Sequence, residues 1–257
     1  MLRIDTMTRY LVNFWLGLFG FCAGSGAEVL IVADEFPAME VLASKLKAKE
    51  QVDSKIISQG DLPASFSNFE TVIVYIHGKL EEKTEVALID YAKSGGKLVV
   101  LHHSISSTKR KNAQWFSFLG VELPEGPVEQ GGYKWIGDVS WDLANLNTNH
   151  FIMTNLVTYP SEINYEKQKL RGFTLDQSEV YLNHVLTEPR TILMGLKYHD
   201  LKAGTVYTAA TAGWMKRSGK GWTIYLMPGH SAKDFEDPAY SRIVLNAVIF
   251  KPPNAID

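Results

Sequence analysis

Four histidines in this chain directly follow apolar runs. His77 comes after Thr71-Val72-Ile73-Val74-Tyr75-Ile76, and His102 and His103 come after Lys97-Leu98-Val99-Val100-Leu101. His230 follows the run from Trp222 to Met227, and Asp34 and Glu35 stand in the same position after Val29–Ala33. If these runs are parallel strands, the polar residues share the rim where open α/β sheets bind ligands. Imidazoles and carboxylates converging there would make an acid–base or metal site. His102 and His230 carry that expectation best, whereas His77 and His199 read as polar strand ends. On a continuous strand His102 and His103 would face opposite ways, so only one of them is expected to point inward. A second group is Asp176-Gln177-Ser178-Glu179-Val180-Tyr181. Asp176 and Glu179 would share one face of a helical turn, or stand in a solvated turn or cap. Trp214, Lys216, Arg217, Lys220 and Trp222 suit either a sugar or the cross-strand pairs of a hairpin.

The elements that would position these residues alternate. Val29–Ala33, Asp53–Ile57, Thr71–Ile76 and Lys97–Leu101 are short apolar runs, as expected for strands covered on both faces. Between them, Met39–Lys49 and Glu81–Lys93 carry apolar residues at helical spacing, and Gly95-Gly96 stops the second. This rhythm predicts a parallel sheet with right-handed crossovers. From Gly120 to about Arg171 prolines, glycines and asparagines break the pattern, which predicts a long insertion with short strands. Further strands are expected at Thr191–Tyr198, Thr205–Ala210 and Trp222–Met227, with Ser218-Gly219-Lys220-Gly221 as a hairpin turn, and a last helix at Pro238–Phe250.

Composition narrows the class. The chain has 257 residues, 46% hydrophobic and 21% charged, with a formal net charge of −2, so it is globular and has no basic footprint for nucleic acid. Residues 1–27 read as a signal peptide: Arg3 and Arg9, the apolar stretch Tyr10–Ala23, then Ser25-Gly26-Ala27. The expected product is exported to periplasm, cell surface or medium, with no stable membrane insertion after cleavage. The single cysteine, Cys22, would leave with that segment, which excludes a cysteine nucleophile. Asp34-Glu35-Phe36-Pro37 follows the first strand where a glycine-rich loop would stand, so no nucleotide cofactor is expected. There is no Gly-x-Ser-x-Gly elbow and no HExxH.

Three segments, in order, resemble the ThuA-like (trehalose utilisation) family. Gly95–His103, GGKLVVLHH, is similar to its Gly-Gly-Gly-Leu-Val-x-Leu-His strand end and places the family histidine on His102. Asp176–Tyr181, DQSEVY, resembles its Asp-Glu-x-Tyr segment, with Glu179 and Tyr181 at the matching positions. Gly219-Lys220-Gly221 through Gly229-His230 resembles its Gly-Lys-Gly-Arg, strand, Gly-His ending, although Trp222 replaces the arginine. Asn149-His150-Phe151-Ile152 stands where the family often has His-Pro-Ile, so His150 matches and the proline does not.

The resemblance implies a class I glutamine amidotransferase-like fold over residues 28–257. This is a flavodoxin-like α/β sandwich of three layers with a mostly parallel central sheet. In glutamine amidotransferases the strand end holding His102 carries the nucleophilic cysteine, so glutamine hydrolysis is excluded here. It also implies carbohydrate metabolism on sugars or oxidised (keto) glycosides by a hydrolase, lyase or isomerase. His102, Glu179 and His230 would be catalytic, and Tyr181, Asp34, Trp214 and His103 would bind substrate. His102, His150 and His230 would hold one divalent ion, zinc or similar. The alternatives are a non-catalytic carbohydrate-binding or scaffold domain, or a subunit that only docks to a partner. Besides the sugar, a second copy of the chain is the partner to test.

Overall fold

The structure, a computed structural model, describes residues 29–253, so the expected signal peptide over residues 1–27 lies outside the described residues. Strand β1 (Val29–Ala33) leads through helix α1 (Phe36–Glu50) to β2 (Ser54–Ile57). β3 (Thr71–Tyr75) leads through α2 (Glu82–Lys93) to β4 (Lys97–Leu101). Near the end of the chain come β12 (Gly221–Leu226), α5 (Ala232–Glu236) and α6 (Pro238–Ile249). The order β2-β1-β3-β4-β12, parallel throughout, is the flavodoxin-like order with β12 as the fifth strand. β2 lies on one side of β1 and β4 on the opposite side of β3, so right-handed crossovers put α1 and α2 on opposite faces. α1, α5 and α6 pack together on one face, and α2 packs with α3 (Trp115–Leu119) on the other. β1, β3 and β4 are buried at every position, as their unbroken apolar runs predict.

The insertion extends this same sheet with long antiparallel strands. Beyond β12 follow β11 (Thr205–Ser218), β10 (Thr191–Asp200), β6 (Lys134–Asn145), β8 (Gln168–Leu182) and β7 (Ser161–Tyr165). A separate pair joins β5 (Val121–Glu122) to β9 (Val185–Leu186), and a four-residue helix, α4 (Phe151–Thr154), precedes β7. The insertion before Arg171 holds the expected short strands in β5 and β7, but also the 12-residue β6, which pairs with the 15-residue β8 that begins at its end. The register of this pair shifts between Ile136 and Val139 and again between Val139 and Trp141. Asp138 and Gln177 take positive φ at these bulges, which interrupt the two-residue alternation a strand would show. Among the described residues, no helix is long and apolar enough to cross a membrane.

Candidate active site at the carboxyl rim of the sheet

β4 ends at Leu101 and the chain enters a 3-10 turn, His102–Ile105. His102 takes φ +29°, a left-handed conformation that residues with side chains avoid and that costs about 1–3 kcal/mol. Its surroundings hold it there. The ring Nδ1 donates to the Met227 carbonyl at 2.5 Å, and the His102 carbonyl accepts from the Tyr225 hydroxyl at 3.3 Å. Because the chain turns, His102 and His103 are both buried and both enter the cluster, correcting the expectation that only one would.

With Nδ1 committed to the Met227 carbonyl, His102 turns Nε2 toward the cluster. Around that atom lie Glu179 Oε1, His230 Nδ1 and the Tyr181 hydroxyl, each at 3.3 Å. Tyr181 has a single proton to give, and His103 Nδ1 also stands 3.3 Å from its hydroxyl. A point this rich in acceptors is satisfied by an added proton or by a cation. The donor set fits a cation: ligands about 2.1 Å from a tetrahedral zinc lie about 3.4 Å apart, and the carbonyl that fixes the His102 tautomer is an ordinary outer partner of a ligating histidine.

Glu179 and Tyr181 come from β8, two residues apart and therefore on one face of the strand. This corrects the helical-turn reading of the segment. Asp176 is exposed, accepts from the Ser140 hydroxyl at 2.5 Å and stays outside the site. Burial pushes the Glu179 carboxyl up, but the hydrogen bonds and charge of His102, the Tyr181 hydrogen bond and the charge of His230 outweigh it and leave the group below its ordinary range. Burial and the Glu179 carboxylate hold Tyr181 protonated far above its usual range. Burial, and then the neighbouring rings of His102, His77 and His230 and the Lys109 ammonium, hold His103 neutral.

His230 is set by a buried carboxylate. Asp234 Oδ2 accepts from the amides of Gly229 (3.1 Å) and His230 (2.8 Å) and from the Ser178 hydroxyl (2.6 Å), tying the loop after β12 to β8. Gly229 has φ +110°, and a Cβ there would lie 2.7 Å from the Tyr240 hydroxyl and 2.9 Å from Phe235, so the Gly-His pair needs its glycine.

Three expected residues stay away from the cluster. Asp34 accepts from the amides of His77 (2.7 Å) and Gly78 (3.1 Å), and so shapes the rim without facing the imidazoles. His150 caps α4 through Nδ1 and packs on Phe250; that residue's carbonyl is bound by Lys97 at the amino end of β4, the opposite rim. Trp214 is fully buried under the Arg190 guanidinium, so it has no face to offer a sugar.

Residues not assigned to the site from the sequence join it. His77 stacks on His103 with centroids 4.4 Å apart, and its Nδ1 lies 3.2 Å from Glu35. Lys109 is fully buried, its ammonium 2.7, 2.6 and 3.1 Å from the carbonyls of Ile76, Gly78 and His103, which clamps the end of β3 to the turn after β4. Burial pushes that ammonium down to about 7, against the pull of Asp34. Trp135 on β6 is 55% exposed and pairs in register with Tyr181. A Cβ at Gly137 would lie 3.8 Å from the Trp135 indole and 3.9 Å from Glu179 Oε2, so the indole and the carboxylate flank the same glycine. The one usable signal for Asp234 was a carboxylate one helical turn after His230.

A groove of about 1140 Å³ is lined by Phe66, Phe69, Asp90, Tyr91 and Gly96 at the amino ends of β3 and β4, and holds no imidazole. Its position argues against it as the site of chemistry.

Among solved structures, the fold matches a ThuA-like protein from Bacteroides uniformis ATCC 8492 (TM-score 0.60, 16% identity, covering 93% of this chain and 94% of that one). It also matches a β-galactosidase from Rahnella sp. R3 (TM-score 0.56, 13% identity), covering 86% of this chain but 30% of that one. PurLQS from Thermotoga maritima matches at TM-score 0.50 and 15% identity, over 87% and 98% of the two chains. No curated protein matches by sequence. The ThuA family model, described as trehalose utilisation, matches residues 30–251, so strand order, rim histidines and family match agree: the chain belongs to the ThuA family.

Proposed function

We propose that this chain is an exported enzyme acting on oxidised (keto) sugars or glycosides, with His102, His230 and Glu179 at its centre. The observation that carries the reading is the Nε2 of His102, met at 3.3 Å by a carboxylate, a second imidazole and a tyrosine hydroxyl. Export is supported by Arg3, Arg9 and the apolar run before Ser25-Gly26-Ala27. The sugar class is supported by the family and by the exposed Trp135 indole beside Glu179, an apolar face for the ring carbons of a sugar.

His102 and His230, with Glu179 Oε1 as carboxylate partner, would hold a divalent ion. Such an ion supplies Lewis acidity toward a sugar carbonyl. Tyr181, kept protonated, donates a hydrogen bond to that carbonyl oxygen. Glu179 Oε2, on the Trp135 side, takes the proton from the adjacent carbon. The C–H electron pair then enters a new C=C bond as the carbonyl pair moves onto oxygen. Where a glycosidic oxygen stands β to the carbonyl, the carbonyl re-forms, the C=C pair shifts to the α,β bond, the C–O bond breaks and the leaving oxygen takes the proton from Glu179; otherwise the proton returns to the opposite face of the carbon and an epimer forms.

Incubation with keto-glycosides in deuterium oxide tests this. The parent is expected to exchange the proton next to the carbonyl and to turn over product, and Glu179→Gln to lose both by about 10²–10⁴-fold. Glu179→Gln turning over every accepted sugar at the parent rate contradicts the reading. Sugar binding by calorimetry with no exchange and no product would instead support a carbohydrate-binding domain.

A further inference from the structure

Outside the cluster just described, the side chain of His103 points its second nitrogen at a different set of groups. Its Nδ1 faces Tyr181, whereas Nε2 is buried, has no hydrogen-bond partner and stands 3.6 Å from Glu35 Oε2, too far for a hydrogen bond. The other oxygen of that carboxylate, Oε1, lies 3.2 Å from His77 Nδ1. A buried ring nitrogen without a partner is costly, about 1–3 kcal/mol. Here it is aimed at a carboxylate and a second imidazole.

We propose that Glu35, His77 and His103 form a second site for a divalent transition cation, on the solvent side of the inner cluster and linked to it through the His103 ring. One ligand atom from each of the three residues can be taken so that all lie within 4.8 Å of one another, close enough for small side-chain turns to bring them to the spacing of about 3.4 Å between ligands of a tetrahedral zinc. Two imidazoles and one carboxylate select zinc, cobalt or a similar ion over magnesium or calcium, which take oxygen ligands. The set is also well supported. Glu35 follows β1, His77 follows β3 and His103 follows β4, three adjacent strands, while Asp34 holds the His77 amide and Lys109 holds the carbonyls of Ile76, Gly78 and His103. The side chains of His77 and Glu35 are 57% and 45% exposed, so His77 has room to turn its ring toward the ion and the remaining coordination positions open to solvent. A hydroxyl or carboxylate of a bound molecule would occupy them. This site uses donors that the proposed reaction does not, so it stands or falls separately from that reading.

Calorimetric titration of zinc into metal-free protein tests it, with cobalt absorption as a second readout. The parent is expected to bind two equivalents, neither displaced by millimolar magnesium or calcium. Glu35→Gln combined with His77→Ala, both at half-exposed positions, should keep the fold by circular dichroism and lose one equivalent or weaken it at least tenfold. Glu179→Gln combined with His230→Ala should lose the other. One equivalent in the parent, lost in the Glu35/His77 variant and kept in the Glu179/His230 variant, supports the outer site and contradicts the inner one. Two equivalents retained in the Glu35/His77 variant, one equivalent insensitive to it, or no binding in the parent would overturn the proposal.

Discussion

The two rims of the sheet both carry polar side chains, but among the described residues only one leaves some of them without a partner. At the amino rim, the Lys97 ammonium donates to the carbonyls of Val248 and Phe250, and His150 caps a helix. Asn246 is bonded to Ile152 and Asn155, and Arg242 to Asn155, Asn246 and Glu50. Every one of these groups is spent on holding the fold. At the carboxyl rim, His102 Nε2 meets other acceptors and His103 Nε2 meets nothing within hydrogen-bond reach. The lesson is that location and residue type are shared, and what separates structure from function is whether the polar atoms are already satisfied.

Exchanging residues between the rims would break that comparison, starting with the largest expected effect. His102→Ala should lower turnover by about 10³-fold, equivalent to about 4 kcal/mol, while His150→Ala leaves it within twofold; steady-state kinetics on an accepted sugar measures both. Asp234→Ala leaves two buried amides and a hydroxyl without their acceptor, and should cost about 3 kcal/mol in urea unfolding while lowering turnover through a displaced His230.

Lys97 sharpens the contrast through pH, because burial pushes its ammonium down to about 8 in the folded protein. The unfolded chain holds that proton up to about 10.4, so unfolding takes up a proton between these values and stability rises as the pH is raised from about 8 to 10. Lys97→Met should flatten a rise of up to about 3 kcal/mol, read from thermal melts across that range. Trp135→Ala should raise KM about tenfold with kcat within twofold, the pattern of a lost binding face. His150→Ala should cost least, about 0.5–1 kcal/mol for a lost helix cap.

The parallel half of the fold was legible because β1, β3 and β4 are covered on both faces, and full burial writes itself as an unbroken apolar run. The antiparallel half was not. β6 and β8 carry compensating bulges at Asp138 and Gln177, so their alternation slips and Asp176–Glu179 reads as a helical turn. The site divides in the same way. His102 and His230 were found because they follow strands in the expected register, and Glu179 and Tyr181 through the family pattern. Glu35 and His77 were recognised at the rim but left out of the site, and Trp135 was passed over, because each acts only through a neighbour distant in sequence: His103 for the first two and Gly137 and Tyr181 for the third. Trp214 misled for the converse reason, since an aromatic among cations looks exposed until Arg190 is seen lying over its ring.

The central claim is that the carboxyl rim, and not the amino rim, is built around a cation. Elemental mass spectrometry after zinc reconstitution and dialysis tests it directly, on the parent, on His102→Ala with His230→Ala, and on His150→Ala. The account predicts equal stoichiometric zinc in the parent and in His150→Ala, with at least one equivalent fewer in the double variant. Equal zinc in all three, loss in His150→Ala, or none in the parent would contradict it.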